Sequence, residues 1–222
     1  MGWFTQTLNS SLGKKYIMSI TGLFLIIFLV IHLFGNMFLY IGRDAFNAYV
    51  DTLGESALHY VILVIEVVLF LGFFFHAFSG IKLTLENFNA RPNRYAVKPA
   101  VPQSTFSSRT MWVTASVIFI FLVVHLQNFW YAYKFGGISE TTTMYDIVTS
   151  TFQDPVYASL YLVACFLLGF HLWHGFQSAF QSLGLNHKKY RPIIVLLGRI
   201  YAIVVAGGFA SLPVYFYFLG GR

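Results

Sequence analysis

Five long runs of apolar residues take up almost the whole of this sequence, and they constrain its fold more than any other feature. They cover about residues 15–41, 58–86, 110–135, 156–185 and 193–219. Each is long enough to cross a bilayer as a helix, which needs about 20 residues. Only 10% of the residues are charged, whereas a soluble domain has about a quarter. The sequence therefore predicts an all-α integral membrane protein, with five transmembrane helices in one domain that spans residues 1–222.

Basic residues are distributed unevenly between the two ends of these runs. The N-terminus and the second and fourth loops carry Lys14, Lys15, Lys82, Arg91, Arg94, Lys98, Arg109, Lys188, Lys189, Arg191 and Arg199, whereas the opposite side carries Arg43, Lys134 and Arg222. By the positive-inside rule, the N-terminus is cytoplasmic and the C-terminus lies outside. The net charge of +6 thus predicts an orientation in the bilayer and gives no indication of nucleic-acid binding.

Four of the histidines inside the apolar runs lie at two depths. His32 and His125 are each about ten residues, or about 15 Å of helix, from the outer ends of their runs. His76 and His171 are roughly 25 Å from the outer ends of theirs. Ionisable residues inside lipid are rare and usually functional, so we predict two pairs of histidines, one pair at each level. For His76 and His171, the alternative is two buried histidines that each bond a neighbouring carbonyl.

Each inner histidine is followed four residues later by a glycine, as His76–Gly80 and His171–Gly175. Residues i and i+4 share one helix face, so bare backbone lies beside the imidazole and leaves space for a flat, bulky group. Haem is such a group, and histidine is a common axial ligand of its iron. The sequence therefore predicts two haem b groups, held without covalent attachment because no Cys-x-x-Cys-His motif occurs. The single cysteine, Cys165, cannot hold an iron–sulfur cluster alone.

A second repeat supports this pairing. Thr21-Gly22 precedes His32, and Thr114-Ala115 precedes His125, at the same separations. Ten residues of helix span about 15 Å, so these small residues lie near the inner level and leave room for the inner haem. The first and third runs share one pattern, and the second and fourth share the other. The simplest arrangement is a four-helix core that holds two stacked haems, with the fifth helix packed outside.

Two assignments stay open at this point. His171 and His174 differ by about 60° around the helix, so both cannot reach one iron. The spacing to Gly175 favours His171, and His174 would then bond a carbonyl, a haem propionate or a quinone. Glu66 is the acidic residue clearly inside an apolar run. It is either a protonated carboxyl that ties helices together or a proton relay and quinone contact.

These features resemble the cytochrome b subunit of the succinate dehydrogenase/fumarate reductase family, in its single-subunit, five-helix, di-haem form. The resemblance covers essentially the whole chain. The residues that carry it are Ser19-Ile-Thr-Gly-Leu-Phe-Leu25 ahead of His32, His76-Ala-Phe-Ser-Gly80, Val124-His125-Leu126, and His171 with Gly175.

The resemblance implies a role for each of these residues. His32 and His125 would ligate a distal haem, and His76 and His171 a proximal one. Ser19 matches a position near the propionates of the inner haem. Two positions depart from the family: Met18 stands where some relatives have glutamine, and Phe170 where some have a glutamate that precedes the fourth-helix histidine.

The resemblance also implies a place in an enzyme complex. The chain would be the anchor, in the bacterial cytoplasmic (inner) membrane, of a flavoprotein subunit with FAD and an iron–sulfur subunit with its clusters. It would pass electrons between the iron–sulfur subunit and a membrane quinone, usually menaquinone, and would have no succinate site of its own. The direction of the reaction and whether the whole complex forms a dimer are left open.

Two other classes of protein compete with this interpretation. One is the di-haem b subunit of a different quinone-linked oxidoreductase, such as a hydrogenase or formate dehydrogenase. The other is a transporter without redox activity, which would have broken helices or paired polar residues near the bilayer midplane. Inside the apolar runs, Glu66 is the one residue of the kind expected in such a transporter.

Overall fold

The structure is a computed structural model, and it describes residues 10–54, 57–90, 106–136 and 142–220, together with Gly2 and Gln6. Several charged residues of the predicted loops and termini lie outside the described residues, namely Glu55, Arg91, Arg94, Lys98, Glu140 and Arg222. The basic character of the second loop therefore stays a prediction from the sequence.

Among the described residues, five helices are long and apolar enough to cross a membrane. They are α1 (Ser11–Ile41), α3 (His59–Asn89), a rod made of α4 (Phe106–His125), a π-helical segment (Leu126–Tyr131) and α5 (Ala132–Phe135), α7 (Pro155–Ser182), and α8 (Arg191–Leu219). The prediction of an all-helical chain with five such helices is confirmed for the described residues. Their length and composition indicate a multi-pass membrane protein.

The described residues contain two further helices, α2 (Arg43–Gly54) and α6 (Met144–Gln153), in segments that were predicted to be loops between the apolar runs. Each is short and places apolar residues on one face, and α2 buries Phe46 while α6 buries Val148 and Phe152. These side chains join a cluster with Leu39 of α1 and Phe216 of α8. Both helices therefore pack across one end of the bundle, here called the outer end after the orientation predicted from charge.

Polar residues at the helix starts explain where several helices begin. The Ser10 side chain accepts a hydrogen bond from the Gly13 N–H at 3.0 Å, and Asp154 accepts one from the Val156 N–H at 2.7 Å. Pro155 occupies the first turn of α7, where its missing N–H costs no hydrogen bond. Thr143 and Asp146 cap α6 reciprocally.

The long helices form a four-membered ring with α8 outside it. Around the ring, α1 packs on α3 and on α7, and α4 packs on α7, while the seam between α3 and α4 has much sparser contact. Helix α8 packs mainly on α7 and lightly on α1. It follows that α1 and α4 face each other across one diagonal of the ring, and α3 and α7 across the other.

Candidate functional site

The outer histidines lie together across the α1–α4 diagonal. The ring centres of His32 and His125 are 5.8 Å apart, with their planes at 88°. Phe28 stacks on His32 one helical turn earlier, at 5.3 Å, and Phe129 packs edge-on against His125 at 5.3 Å. Aromatic side chains thus surround a pair of nearly perpendicular imidazoles.

The inner histidines lie together across the other diagonal. The ring centres of His76 on α3 and His171 on α7 are 6.3 Å apart, with their planes at 77°. His174 lines the same cavity about one turn further along α7. The ring that faces His76 is therefore that of His171.

The two histidine pairs lie at different levels of the bundle, as the positions of Thr21 and Thr114 show. Thr21 Oγ1 is 3.4 Å from His76 Nδ1, and Thr114 Oγ1 is 3.5 Å from His171 Nδ1. Eleven residues of helix, about 16 Å, separate each threonine from the outer histidine on its own helix. The site therefore consists of two crossed imidazole pairs stacked along the bundle axis.

The spacing of the rings fits an ion held between each pair. An imidazole nitrogen binds a metal at about 2 Å, so two imidazoles on opposite sides of one ion have ring centres about 6 Å apart. No group of three or more His, Cys, Asp and Glu side chains that could hold a metal occurs among the described residues. A porphyrin supplies four ligands of its own, so its iron needs only the two imidazoles that each level offers.

A continuous cavity of about 3170 Å³ runs between the helices and is lined by all four of these histidines. A pocket for one drug-sized ligand is about 300–1,000 Å³, so this cavity has room for more than one large group. Its outer part is lined by polar residues that include Asn36, Glu66 and Gln127. Its inner part is lined by Lys15 and Arg199, two cationic groups that suit carboxylates.

The glycines predicted to leave clearance have three different surroundings. Gly175 faces open space, because a Cβ placed there would have no neighbour within 4 Å, and it lines the cavity. A Cβ at Gly80 would instead lie 3.1 Å from Met18 Cε, so Gly80 permits close packing of α3 on α1. A Cβ at Gly22 would lie 3.2 Å from His76 Cε1. Gly22 therefore makes room for the histidine ring itself.

Ser19 is buried at 5% exposure and lines the cavity near its inner end. Its hydroxyl donates to the Lys15 carbonyl at 2.8 Å, so its oxygen lone pairs remain available to accept a further hydrogen bond. On this face of α1, Ser19 lies one turn from Lys15, whose side chain also lines the cavity.

Glu66 has a partner that the sequence did not reveal. Its carboxylate lies 3.2 Å from Lys134 Nζ, and the side chain of Glu66 is 29% exposed while that of Lys134 is 20% exposed. Lys134 belongs to α5 at the outer end of the α4 rod, 68 positions away along the chain. The sequence places Lys134 near the outer end of the third apolar run, and its pairing with Glu66 depends on how α3 packs on that rod.

Arg199 and Trp173 are further cavity residues that sequence reasoning missed. The Arg199 guanidinium carbon lies 5.2 Å from the centre of the Trp173 ring, a cation–π geometry that fixes its direction. A signal was present in the sequence, because Arg199 is eight residues inside an apolar helix and charged residues there are costly unless they have a partner or a ligand.

Comparison with known proteins adds no further identification. No protein-family model, no curated protein and no solved structure matches the chain. The interpretation of the site therefore depends on the residues and geometry described above.

Proposed function

We propose that this chain is the di-haem b membrane subunit of a succinate:quinone oxidoreductase, either a succinate dehydrogenase or a fumarate reductase. The observation that supports this proposal best is the pair of crossed imidazole sites, with ring centres 5.8 Å and 6.3 Å apart, inside one continuous cavity. Four histidines in this arrangement match what two bis-histidine haems require.

In this proposal, His32 and His125 hold the iron of the outer haem, and His76 and His171 hold that of the inner haem. When bound, the haems supply one-electron redox chemistry. The chain itself orients the imidazoles across the two diagonals and excludes water with aromatic side chains such as Phe28 and Phe129.

The inner end of the cavity is suited to the acidic edge of a haem. Lys15 and Arg199 supply positive charge there, and Ser19 and His174 supply further groups that can hydrogen-bond a propionate. Gly175 leaves bare backbone beside His171, so a flat ring can lie against α7 without meeting a side chain.

A membrane quinone, menaquinone by resemblance, would react near the outer end. Glu66 is the proton-exchanging group proposed there, because quinone reduction and oxidation move protons together with electrons. The ion pair with Lys134 keeps the carboxylate in place and lowers the cost of its charge at that depth. The Glu66 carboxylate can then accept a proton from a quinol hydroxyl.

The soluble partners in this proposal are a flavoprotein subunit with FAD and an iron–sulfur subunit, on the cytoplasmic side of a bacterial inner membrane. Exposed basic residues Lys188 and Lys189, between α7 and α8, lie at the inner end of the bundle. The chain transfers electrons between the iron–sulfur subunit and quinone, and the dicarboxylate reaction takes place on the flavoprotein.

The test is isolation of the full-length chain in mild detergent from membranes that also contain its partners. We expect two haem b per polypeptide by pyridine haemochromogen analysis, and reduction of the b-type absorbance by succinate. One haem or none would refute the di-haem proposal. Two haems that formate or hydrogen reduces, and succinate does not, would assign the chain to a different quinone-linked enzyme.

A further inference from the structure

Each inner histidine has a threonine hydroxyl at its Nδ1 nitrogen, and the two contacts are almost identical. Thr21 Oγ1 lies 3.4 Å from His76 Nδ1, and Thr114 Oγ1 lies 3.5 Å from His171 Nδ1. The threonines belong to α1 and α4, which are the helices that carry the outer histidines. Each inner ring is therefore held by a helix of the opposite diagonal.

The hydroxyl protons of both threonines are already used. Thr21 donates to the Ile17 carbonyl at 2.7 Å, and Thr114 donates to the Met111 carbonyl at 3.0 Å. A hydroxyl has one proton to donate, so each Oγ1 can only accept a hydrogen bond from the histidine. The Nδ1 atoms of His76 and His171 must then carry the ring protons, which leaves the Nε2 lone pairs free.

The approach of Thr21 to His76 depends on a glycine next to the threonine on α1. Gly22 permits the close approach, because a Cβ there would lie 3.2 Å from His76 Cε1.

The outer site differs. His125 Nδ1 is buried and has no hydrogen-bond partner among the described residues. The threonine contacts are thus a feature of the inner site and do not recur at His125.

We propose that Thr21 and Thr114 are positioning residues that fix His76 and His171 in the Nδ1-protonated tautomer, with Nε2 of each ring available to the inner haem iron. This inference rests on the proposed function. A hydrogen bond accepted from Nδ1–H orients the ring and increases its basicity as a ligand. A more basic axial ligand stabilises the ferric form and lowers the reduction potential of its haem.

The experiment compares Thr21→Val and Thr114→Val, which remove the hydroxyl at nearly constant shape, with Thr21→Ser and Thr114→Ser, which keep it. Ser116→Ala is the matched control, because the exposed Ser116 hydroxyl also donates to a carbonyl one turn back on α4, that of Trp112 at 2.8 Å. The full-length chain is purified in detergent, its haem is quantified, and an optical redox titration resolves the two haems. The g anisotropy of the low-spin ferric EPR signals is recorded as well.

In both valine variants we expect the midpoint potential of one haem to rise and its EPR signal to shift, with the other haem unchanged. The serine variants should restore the wild-type values, and Ser116→Ala should have no effect. Loss of one haem in the valine variants with full occupancy in the serine variants also supports the proposal. Unchanged potentials in the valine variants, equal shifts of both haems, or failure of serine to restore the values would overturn it. A wild-type chain without haem would instead refute the proposed function.

Discussion

The choice between His171 and His174 shows what single residues contribute to this site. Both line the cavity, but the ring centre of His171 is the one that lies 6.3 Å from that of His76. The spacing to a glycine four residues later already favoured His171, because a helix places those positions on one face. The threonine contacts of the inner histidines could not be predicted in the same way, since they join residues 55 and 57 positions apart.

Substitution of the two histidines on α7 separates their roles. We expect His171→Leu to lower the haem content by half, because the variant lacks one of the two imidazoles proposed to hold the inner haem. His174→Leu should keep both haems. Haem per polypeptide is measured by pyridine haemochromogen analysis after purification. Loss of the inner haem in His174→Leu, with retention in His171→Leu, would reverse the assignment.

The clearance at Gly175 gives a second prediction at this scale. Gly175→Leu should reduce occupancy of the inner haem and leave the outer haem intact, because the new side chain enters open cavity beside His171. Gly207→Leu is the matched control, since Gly207 of α8 also has no neighbour within 4 Å but is exposed on the bundle surface. Redox titration distinguishes the two haems. If the inner haem has equal occupancy in both variants, Gly175 does not provide steric clearance for it.

At the scale of helices, the sequence predicted the long ones well and the short ones poorly. The predicted spans 15–41 and 193–219 compare with Ser11–Ile41 and Arg191–Leu219, because a continuous apolar run must form a helix to satisfy its backbone in lipid. Helix α2 was missed. Its twelve residues are too few for a stable isolated helix, and its stability comes from packing against other helices.

Helix α6 provides a pH-dependent test. The Thr143 backbone N–H, followed by the Thr143 hydroxyl and Arg43, lowers the pKa of Asp146 below its ordinary value of 3.8. A carboxylate with a lowered pKa stabilises the folded state above that ordinary value, and its contribution is lost as the pH falls through the folded-state pKa. Hydrogen exchange of α6 amides, corrected for intrinsic rates, should therefore be constant from neutral to mildly acidic pH and should increase only below about pH 4.

Asp146→Asn is the control for this effect. Asparagine keeps the shape of the side chain and cannot ionise, so the acid-dependent step in α6 exchange should disappear. The variant should also exchange faster than the wild type at neutral pH, because it loses the ion pair with Arg43, whose nitrogen lies 2.6 Å from the carboxylate. A step that persists in Asp146→Asn would assign the pH dependence to another group.

Variants of the ion pair between α3 and α5 can distinguish a structural role of Glu66 from a role in proton transfer. We expect Glu66→Gln to slow quinone-linked turnover by about a hundredfold, the usual size of a lost proton-transfer group, with both haems retained. Lys134→Gln breaks the same ion pair, in which the two groups lie 3.2 Å apart. We expect Lys134→Gln and Glu66→Gln to lower the free energy of unfolding by similar amounts, each at most about 1 kcal/mol. If both variants lose stability and neither slows quinone turnover, Glu66 only ties the helices together.

At the scale of the whole molecule, the orientation in the membrane that the distribution of basic residues predicts is open to a direct test. Ser150 on α6 and Lys188 between α7 and α8 are both exposed, at opposite ends of the bundle. The native Cys165 is buried at 5% exposure, so its background reaction is low. These two positions therefore suit labelling of one introduced cysteine at a time in the full-length chain.

A membrane-impermeant maleimide should label Ser150→Cys in intact cells and Lys188→Cys only after permeabilisation. This result is expected because basic loops are retained on the cytoplasmic side. The wild-type chain, with only Cys165, measures the background in both conditions. Labelling of Lys188→Cys in intact cells, without labelling of Ser150→Cys, would mean that the chain is inserted in the opposite direction.

The loosely packed seam between α3 and α4 has a consequence for biosynthesis. Helix α3 packs closely on α1 and only sparsely on α4, where two aromatic pairs, Phe73–Phe119 and Phe88–Trp112, bridge the seam. We expect these side chains to move aside without unfolding of either helix, so that a flat apolar molecule dissolved in the bilayer can enter between α3 and α4 after all helices are inserted. We therefore expect loading to be a late step that needs no unfolding, and the lifetime of newly inserted chains to increase with the supply of the molecule they bind.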